Sequence, residues 1–460
     1  MAVSEKQAGP KVGAQSEEAP YPPEGYAWYV VLILMVVYIF SFVDRQVLAY
    51  LVGPIKADLN VSDTMMGLLG GTTFAVFYTL FGIPLGRLAD SRSRRTIIAV
   101  GLFLWSLATA SCGLAKTYGH LLTFRIGVGI GEATLSPSAY SMIADYFKPT
   151  RLALAISVYG AGIYIGSGIA SIVSGLLVEF ATANTDYEFP IVGQVRPWQL
   201  VFFAIGLPGL LFTAMLYTVR EPIRRGVAKT HAGTNSSIPF AEVMQYIGAN
   251  WKTFLCHCGG FAFMSFIGYV GAFWVPATFI RIHEWSVADV GLRYGVAVII
   301  FGSGGIIFGG QMADWLTQRG YKDAKMRVGL AATLIHLPVG ILFPLVTNDW
   351  LAFTLLIPAI FAIGMPFGVA PAAIQEMMPN QMRGQAAAIY LFVVNLIGIG
   401  LGPLTVGMLN DYVYGVDGIN YSLATANITA NVLSTTLLFF GIAHFRRSLD
   451  YRDNWYKSRA

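Results

Sequence analysis

The chain has 460 residues, 55% of them hydrophobic and 12% charged, with a mean hydropathy of +0.60. Soluble domains carry about 25% charged residues, so a water-soluble globular protein is excluded and an all-α polytopic membrane protein is expected. The net charge of +5 is no argument for nucleic acid, because the cations fall in short connections between apolar runs, where they set orientation.

Residues 1–27 are polar and proline-containing, with no cleavable signal pattern. They read as a disordered cytoplasmic tail. Apolar spans then recur near 28–51, 66–87, 96–115, 119–146, 152–180, 198–219, 252–280, 289–316, 326–347, 350–378, 384–412 and 421–445. Each is near or above the ~20 residues that a crossing helix needs. Twelve transmembrane helices follow, as two six-helix bundles at 28–219 and 251–446. A cytoplasmic linker (220–250) joins them, and a cytoplasmic tail (447–460) ends the chain.

Loop charge sets the orientation. The connections after even-numbered spans hold Arg87, Arg92, Arg94, Arg95, Lys148, Arg151, Arg220, Arg224, Arg225, Arg319, Lys322, Lys325 and Arg383, and the termini add more. The opposite connections hold only Lys56, Lys116, Arg196, Arg281 and Arg293. The excess places both termini in the cytoplasm of a cell inner membrane.

The second intramembrane feature is charge. Span 1 contains Asp44 and Arg45, and span 4 contains Arg125 and Glu132. Ionised groups inside a bilayer cost several kcal/mol unless they face protein or water. Arg125 and Glu132 are seven residues apart, so they share a helix face at an axial separation of about 10 Å. That exceeds the reach of an i,i+4 pair, so each needs a partner on another helix. Asp44 and Arg125 lie at similar depth and are the expected pair. Arg45 points about 100° away from Asp44 and is free to reach Glu132 or a substrate. Glu132 sits near the midplane and is the first candidate for proton coupling, with Asp44 the second. Arg45 and Arg125 are the candidate charge partners of a substrate. A purely structural salt-bridge network is the competing reading.

No position in the second half copies these charges. Span 7 instead carries aromatic residues, of which Phe266, Tyr269, Phe273 and Trp274 are candidates for a cavity wall; packing is the alternative. The glycines of span 5 (Gly160, Gly162, Gly166, Gly168, Gly175) and span 11 (Gly398, Gly400, Gly402) suit close helix packing. His336 reads as a satisfied core histidine, and Gln375 and Glu376 lie where a gate would stand. Cys256-His257-Cys258 does not converge on one ion, since adjacent helical side chains diverge by about 100°. No metal, cofactor, nucleotide-binding loop or catalytic triad is expected, and no enzyme activity.

The halves repeat. Gly86-Arg-Leu-Ala-Asp90 follows span 2, and Gly310-Gln-Met-Ala-Asp314 follows span 8. Parallel six-span repeats are a transporter architecture. Residues 86–95, GRLADSRSRR, resemble the signature loop of the major facilitator superfamily, with Ser93 where a glycine is common. The resemblance implies a cytoplasmic gating loop made of Gly86, Asp90, Arg94 and Arg95, with Gly310 and Asp314 in the second copy. Such a contact, present in one end state only, would bias the equilibrium. FVDRQVLA in span 1 and RIGVGIGEATLSPSAYSMIADYF in span 4 are similar to the spinster branch of that superfamily, with the twelve-span layout covering 28–445. The resemblance implies an amphipathic, anionic lipid substrate such as a lysophospholipid or a sphingosine phosphate-like molecule, and with the carboxylates of Glu132 and Asp44 a proton-coupled secondary transporter is expected. The absent secretory signal and the compact loops point to a bacterial version, expected to be a monomer among membrane lipids. The alternative substrate is a small organic anion or drug. A non-transporting receptor or scaffold on the same fold has little need of intramembrane charge.

Overall fold

The computed structural model describes residues 20–183, 187–189, 193–224 and 239–457. Most of the expected N-terminal tail (1–19), residues 225–238 of the linker and the last three residues lie outside these. Within a bilayer every backbone polar group must be satisfied internally, which leaves helices as the solution for this sequence. The described spans are Glu24–Tyr50, Asp63–Ala89, Arg94–Cys112, Tyr118–Glu132 continued by Leu135–Tyr146, Pro149–Thr182 and Pro197–Leu216 in the first half. The second half has Trp251–Arg281, Val287–Gln318, Ala324–Leu345, Asp349–Met377, Arg383–Tyr414 and Ile419–Lys457. The expected twelve-helix architecture is therefore present.

Local signals fix several boundaries. Ser93 caps span 3 by accepting from the Thr96 amide, and Thr117 caps span 4 by accepting from that of His120. Ser286 and Asn348 do the same for spans 8 and 10. Each satisfies an amide that the first helical turn leaves without a partner. Two elements differ from the linear reading. Phe240–Ala249 forms a short helix within the linker, and the last helix runs past the expected end of span 12, docking Arg452 on the Glu376 carbonyl. A small antiparallel hairpin, Tyr187–Phe189 with Gly193–Val195, joins spans 5 and 6.

The two halves meet tightly at the end of the bundle away from the termini, here the far face. Spans 5 and 8 cross where a Cβ on Gly175 would come within 2.8 Å of the Gly291 Cα, and one on Gly168 within 2.4 Å of the Gly295 carbonyl oxygen. Spans 2 and 11 cross where a Cβ on Gly67 would meet the Pro403 carbonyl oxygen at 2.4 Å. Such approaches need residues without side chains. Wider π-helical turns at Leu68–Thr72, Val298–Gly302 and Leu396–Leu401 lie in three of these four spans, 2, 8 and 11. A single buried apolar cluster runs through both halves, whereas the termini end of the second half has its own, around Val243, Phe254, Met377 and Phe445. Toward the termini face, Gly160, Gly310, Gly368 and Gly384 have no neighbour within 4 Å of an added Cβ. The close contacts between the halves at these glycine crossings thus lie at the far face.

Candidate substrate and proton site

Span 1 and span 4 bring the four intramembrane charges together. Arg45 donates from both Nε and Nη2 to Glu132 Oε2, each at 2.6 Å. The Glu132 side chain is fully buried, and the other oxygen, Oε1, has no hydrogen-bond partner. The expected Asp44–Arg125 ion pair does not form. Arg125 Nη1 instead donates to the backbone carbonyl of Asp44 at 3.1 Å, and both carboxylate oxygens of Asp44 are buried without a hydrogen-bond partner. The two residues do lie at one depth, but the Asp44 side chain leaves its helix in a different direction from its carbonyl.

Span 4 breaks immediately after Glu132. Its first helix ends at Glu132 and the next starts at Leu135, with the Thr134 hydroxyl bonding back to the Gly131 carbonyl at 2.8 Å. The break ends one helical run beside the carboxylate and redirects the next.

Of the four, Asp44, Arg125 and Glu132 are sealed, and Arg45 keeps 18% of its side chain exposed. Its guanidinium lies 4.5 Å from the Phe74 ring centre, 5.0 Å from Tyr78 and 5.5 Å from Phe42. These are cation–π distances. Tyr38 stacks on Tyr159, and Tyr140 meets Tyr159 edge-on. Tyr38, and Tyr269 from the second half, lie within electrostatic range of Arg45. The arrangement is a cation ringed by aromatic faces and phenol hydroxyls, suited to an anionic group attached to an apolar body.

The expected cavity wall in span 7 divides. Tyr269 is half-buried beside this cluster. Phe273 packs onto Gly70, and the Trp274 indole donates to the Pro403 carbonyl at 2.8 Å, so both belong to the seal between spans 2, 7 and 11. Phe266 is buried and lines a small cleft with Phe263 and Thr405.

The basic loop after span 2 is anchored within its own half. Arg94 binds Asp145, the Ser141 hydroxyl and Glu221; the Arg95 amide donates to Glu221 at 2.8 Å. Gly86 faces Pro137, and the Asp90 side chain lies outside the described residues. Gly310 meets nothing within 4 Å, and Asp314 is exposed and makes none of the described ion pairs.

Sequence reasoning missed four residues. Tyr38 lies seven residues before Arg45, the same spacing that was read between Arg125 and Glu132, so its signal was available. Asp63 is fully buried at the far face, where Lys56, both terminal nitrogens of Arg281 and Asn410 Nδ2 converge on it. Asp411 accepts from the Asp63 and Thr64 amides. Glu221 carried no signal beyond its place after span 6.

The major facilitator superfamily model matches residues 34–403. The chain belongs to the major facilitator superfamily. This facilitator is 27% identical over 456 residues to an efflux pump of the superfamily from Mycolicibacterium smegmatis, covering 96% of this chain and 99% of that one. It is 23% identical to protein spinster of Drosophila melanogaster, over 84% of this chain and 62% of that one. It is 25% identical to the hexuronate transporter of Bacillus subtilis, over 83% and 87%. Among solved structures it resembles a bacterial homolog of the human lysosomal transporter Spinster in an inward-facing, unoccupied conformation. That match has a TM-score of 0.74 and 26% identity, covering 93% of this chain and 98% of that one. The resemblance to the spinster branch read from spans 1 and 4 holds, and the fold and family are those of transporters.

Proposed function

We propose that this facilitator is a proton-coupled secondary transporter of an amphipathic anion with a single apolar tail, a lysophospholipid or a sphingosine phosphate-like molecule. The observation that carries this reading is Arg45. It alone of the four charges keeps part of its side chain exposed (18%), and it sits between aromatic rings and one oxygen of Glu132. A substrate phosphate or carboxylate would compete with Glu132 for that guanidinium. Glu132, once released, would take a proton; Asp44, buried without a partner, is the second acceptor. Alternating access would move the pair from one face to the other as spans 5 and 8 and spans 2 and 11 part. Loop charge supports termini in the cytoplasm, so the described conformation would open inward, and the protein would work as a monomer in the cell inner membrane.

A small organic anion or drug is the second reading, favoured by the hexuronate transporter and the efflux pump among the relatives. Proteoliposomes with an imposed pH gradient separate the two. Lysolipid flux that collapses in Arg45→Ala supports the first, and flux of short organic acids with no lysolipid flux overturns it.

A further inference from the structure

A second cleft lies within the first half, away from the four charges. It has a volume of about 520 Å³ and runs between spans 2 and 3, with span 4 as its floor. Its walls are apolar. Leu88, Val100 and Leu104 are between 41% and 50% exposed, although they lie in membrane-crossing helices. Ile130 and Thr134 form the floor, so the cleft ends on the break in span 4 beside Glu132.

The cleft is amphipathic along its length. Arg92, Ser93 and Thr96 stand at the termini end. Arg224 adds a second guanidinium there, since its Nη2 donates to the carbonyls of Ala89 and Arg92, each at 2.6 Å. The Arg92 side chain is exposed and makes none of the described ion pairs. From Thr96 to Leu104 is about 12 Å along the helix, close to the ~15 Å hydrocarbon depth of one leaflet. An apolar trough one leaflet deep, with cations at the interface end, matches an acyl chain below an anionic head.

We propose that this cleft is a binding site for an anionic glycerophospholipid of the leaflet on the termini side, one acyl chain lying along Val100 and Leu104 and its phosphate on Arg92. The site is distinct from the Arg45 cluster, and the proposal does not depend on which molecule is transported. The lipid's chain would brace the Thr134 break from behind.

The full chain, purified in detergent with dilute phosphatidylglycerol and phosphatidylcholine in equal amounts, tests this by native mass spectrometry of retained lipid. The intact protein retains phosphatidylglycerol over phosphatidylcholine. Arg92→Gln lowers phosphatidylglycerol retention about fivefold, the factor for one interfacial cation, and lowers phosphatidylcholine, whose phosphate its own ammonium neutralises, by less. Val100→Trp and Leu104→Trp fill the trough from exposed positions and lower both lipids about tenfold, the factor for a few lost methylene contacts. Phe103→Trp adds the same ring to an exposed position of span 3 outside the cleft and changes nothing. Undiminished lipid counts in both trough-filling variants, or an unaltered lipid preference in Arg92→Gln, overturn the proposal.

Discussion

Arg125 holds Asp44 by its backbone, donating to the carbonyl at 3.1 Å while the Asp44 carboxylate lies buried with no hydrogen-bond partner. An ionised carboxylate in that position has only the nearby Arg125 and Arg45 charges and the Thr109 hydroxyl to offset its lost hydration. Asp44→Asn keeps the shape and removes the charge. It is expected to leave the thermal midpoint unchanged or to raise it, and to flatten the pH dependence of gradient-driven uptake. Arg125→Ala removes a buried donor from a carbonyl and is expected to cost about 1–3 kcal/mol. Thermal unfolding in detergent reads both. A large loss of stability in Asp44→Asn would mean that the carboxylate has a structural partner after all.

Arg45 and Glu132 behave as a unit, because both donors converge on Oε2 in a largely dry site. Removing one partner of a buried pair costs about 3–5 kcal/mol, so Arg45→Gln and Glu132→Gln should each destabilise by about that much. The double variant should cost far less than the sum, since neither charge is then left alone. A thermal double-mutant cycle measures this. Additive losses would separate the two residues and remove the exchange step from the transport mechanism.

At the far face, Asp63 on the first half accepts from Arg281 and Asn410 of the second. These contacts exist only while that face is closed, so they bias the equilibrium toward closure. Hydrogen bonds to a charged group contribute about 1.5–3 kcal/mol each. Arg281→Gln should therefore shift the population toward far-face opening by tenfold or more, in the sense of about 1.4 kcal/mol per decade. Spin labels at Ala57→Cys and Asp417→Cys, both exposed at that face, would report a longer distance. An unchanged distribution in Arg281→Gln would show that the glycine contacts alone close the bundle.

Much of this was legible in the linear chain. Twelve spans, the six-plus-six division and the charge pattern follow from apolar length and from the costs of the bilayer, which act on composition directly. The glycine spacing of spans 5 and 11 reads as packing surface, and all of those glycines but Gly160 meet a neighbouring helix. Partner choice was not legible. Arg125 and Asp44 were placed at the same depth correctly, but rise per residue says nothing about whether a carbonyl or a carboxylate will be met. Asp63 escaped notice because it lies at a helix start, where an acidic residue is ordinary. Its importance comes from Arg281 and Asn410, more than 200 residues away. Phe273 and Trp274 were aromatic in the right span, and only the crossing with span 11 shows that they seal rather than line.

Glycine spacing makes a sharper test of the far-face seal. A Cβ on Gly175 would stand 2.8 Å from the Val287 carbonyl oxygen and the Gly291 Cα, all backbone that cannot yield without parting the helices. Gly160, on the same span, has open space there. Gly175→Val should hold spans 5 and 8 apart, lengthening the Ala57–Asp417 label distance and lowering transport. Gly160→Ala should leave the distance and the flux unchanged and gain up to about 1 kcal/mol from helix propensity. Normal closure in Gly175→Val would show that the halves can seal without this crossing.

Glu221 gives the protein an acid-sensitive tie outside the membrane. Burial alone pushes its carboxyl up, but the Arg95 amide, the Arg94 side chain and the Ser93 hydroxyl outweigh that and hold it below the ordinary glutamate value. A folded-state value below the unfolded one adds stability above the unfolded value, about pH 4.3, and that stability is lost as pH falls through the folded value. Glu221→Gln should thus lie below the intact protein at pH 7 by about 1 kcal/mol. The two should converge as the pH drops below 4, where the glutamate becomes neutral as well. Thermal midpoints of both proteins taken across that range measure the gap directly. A gap that stays constant with pH would assign the loss to shape alone, and a gap that widens in acid would reverse the sign of the linkage and remove Glu221 as the anchor of the Arg94–Arg95 loop.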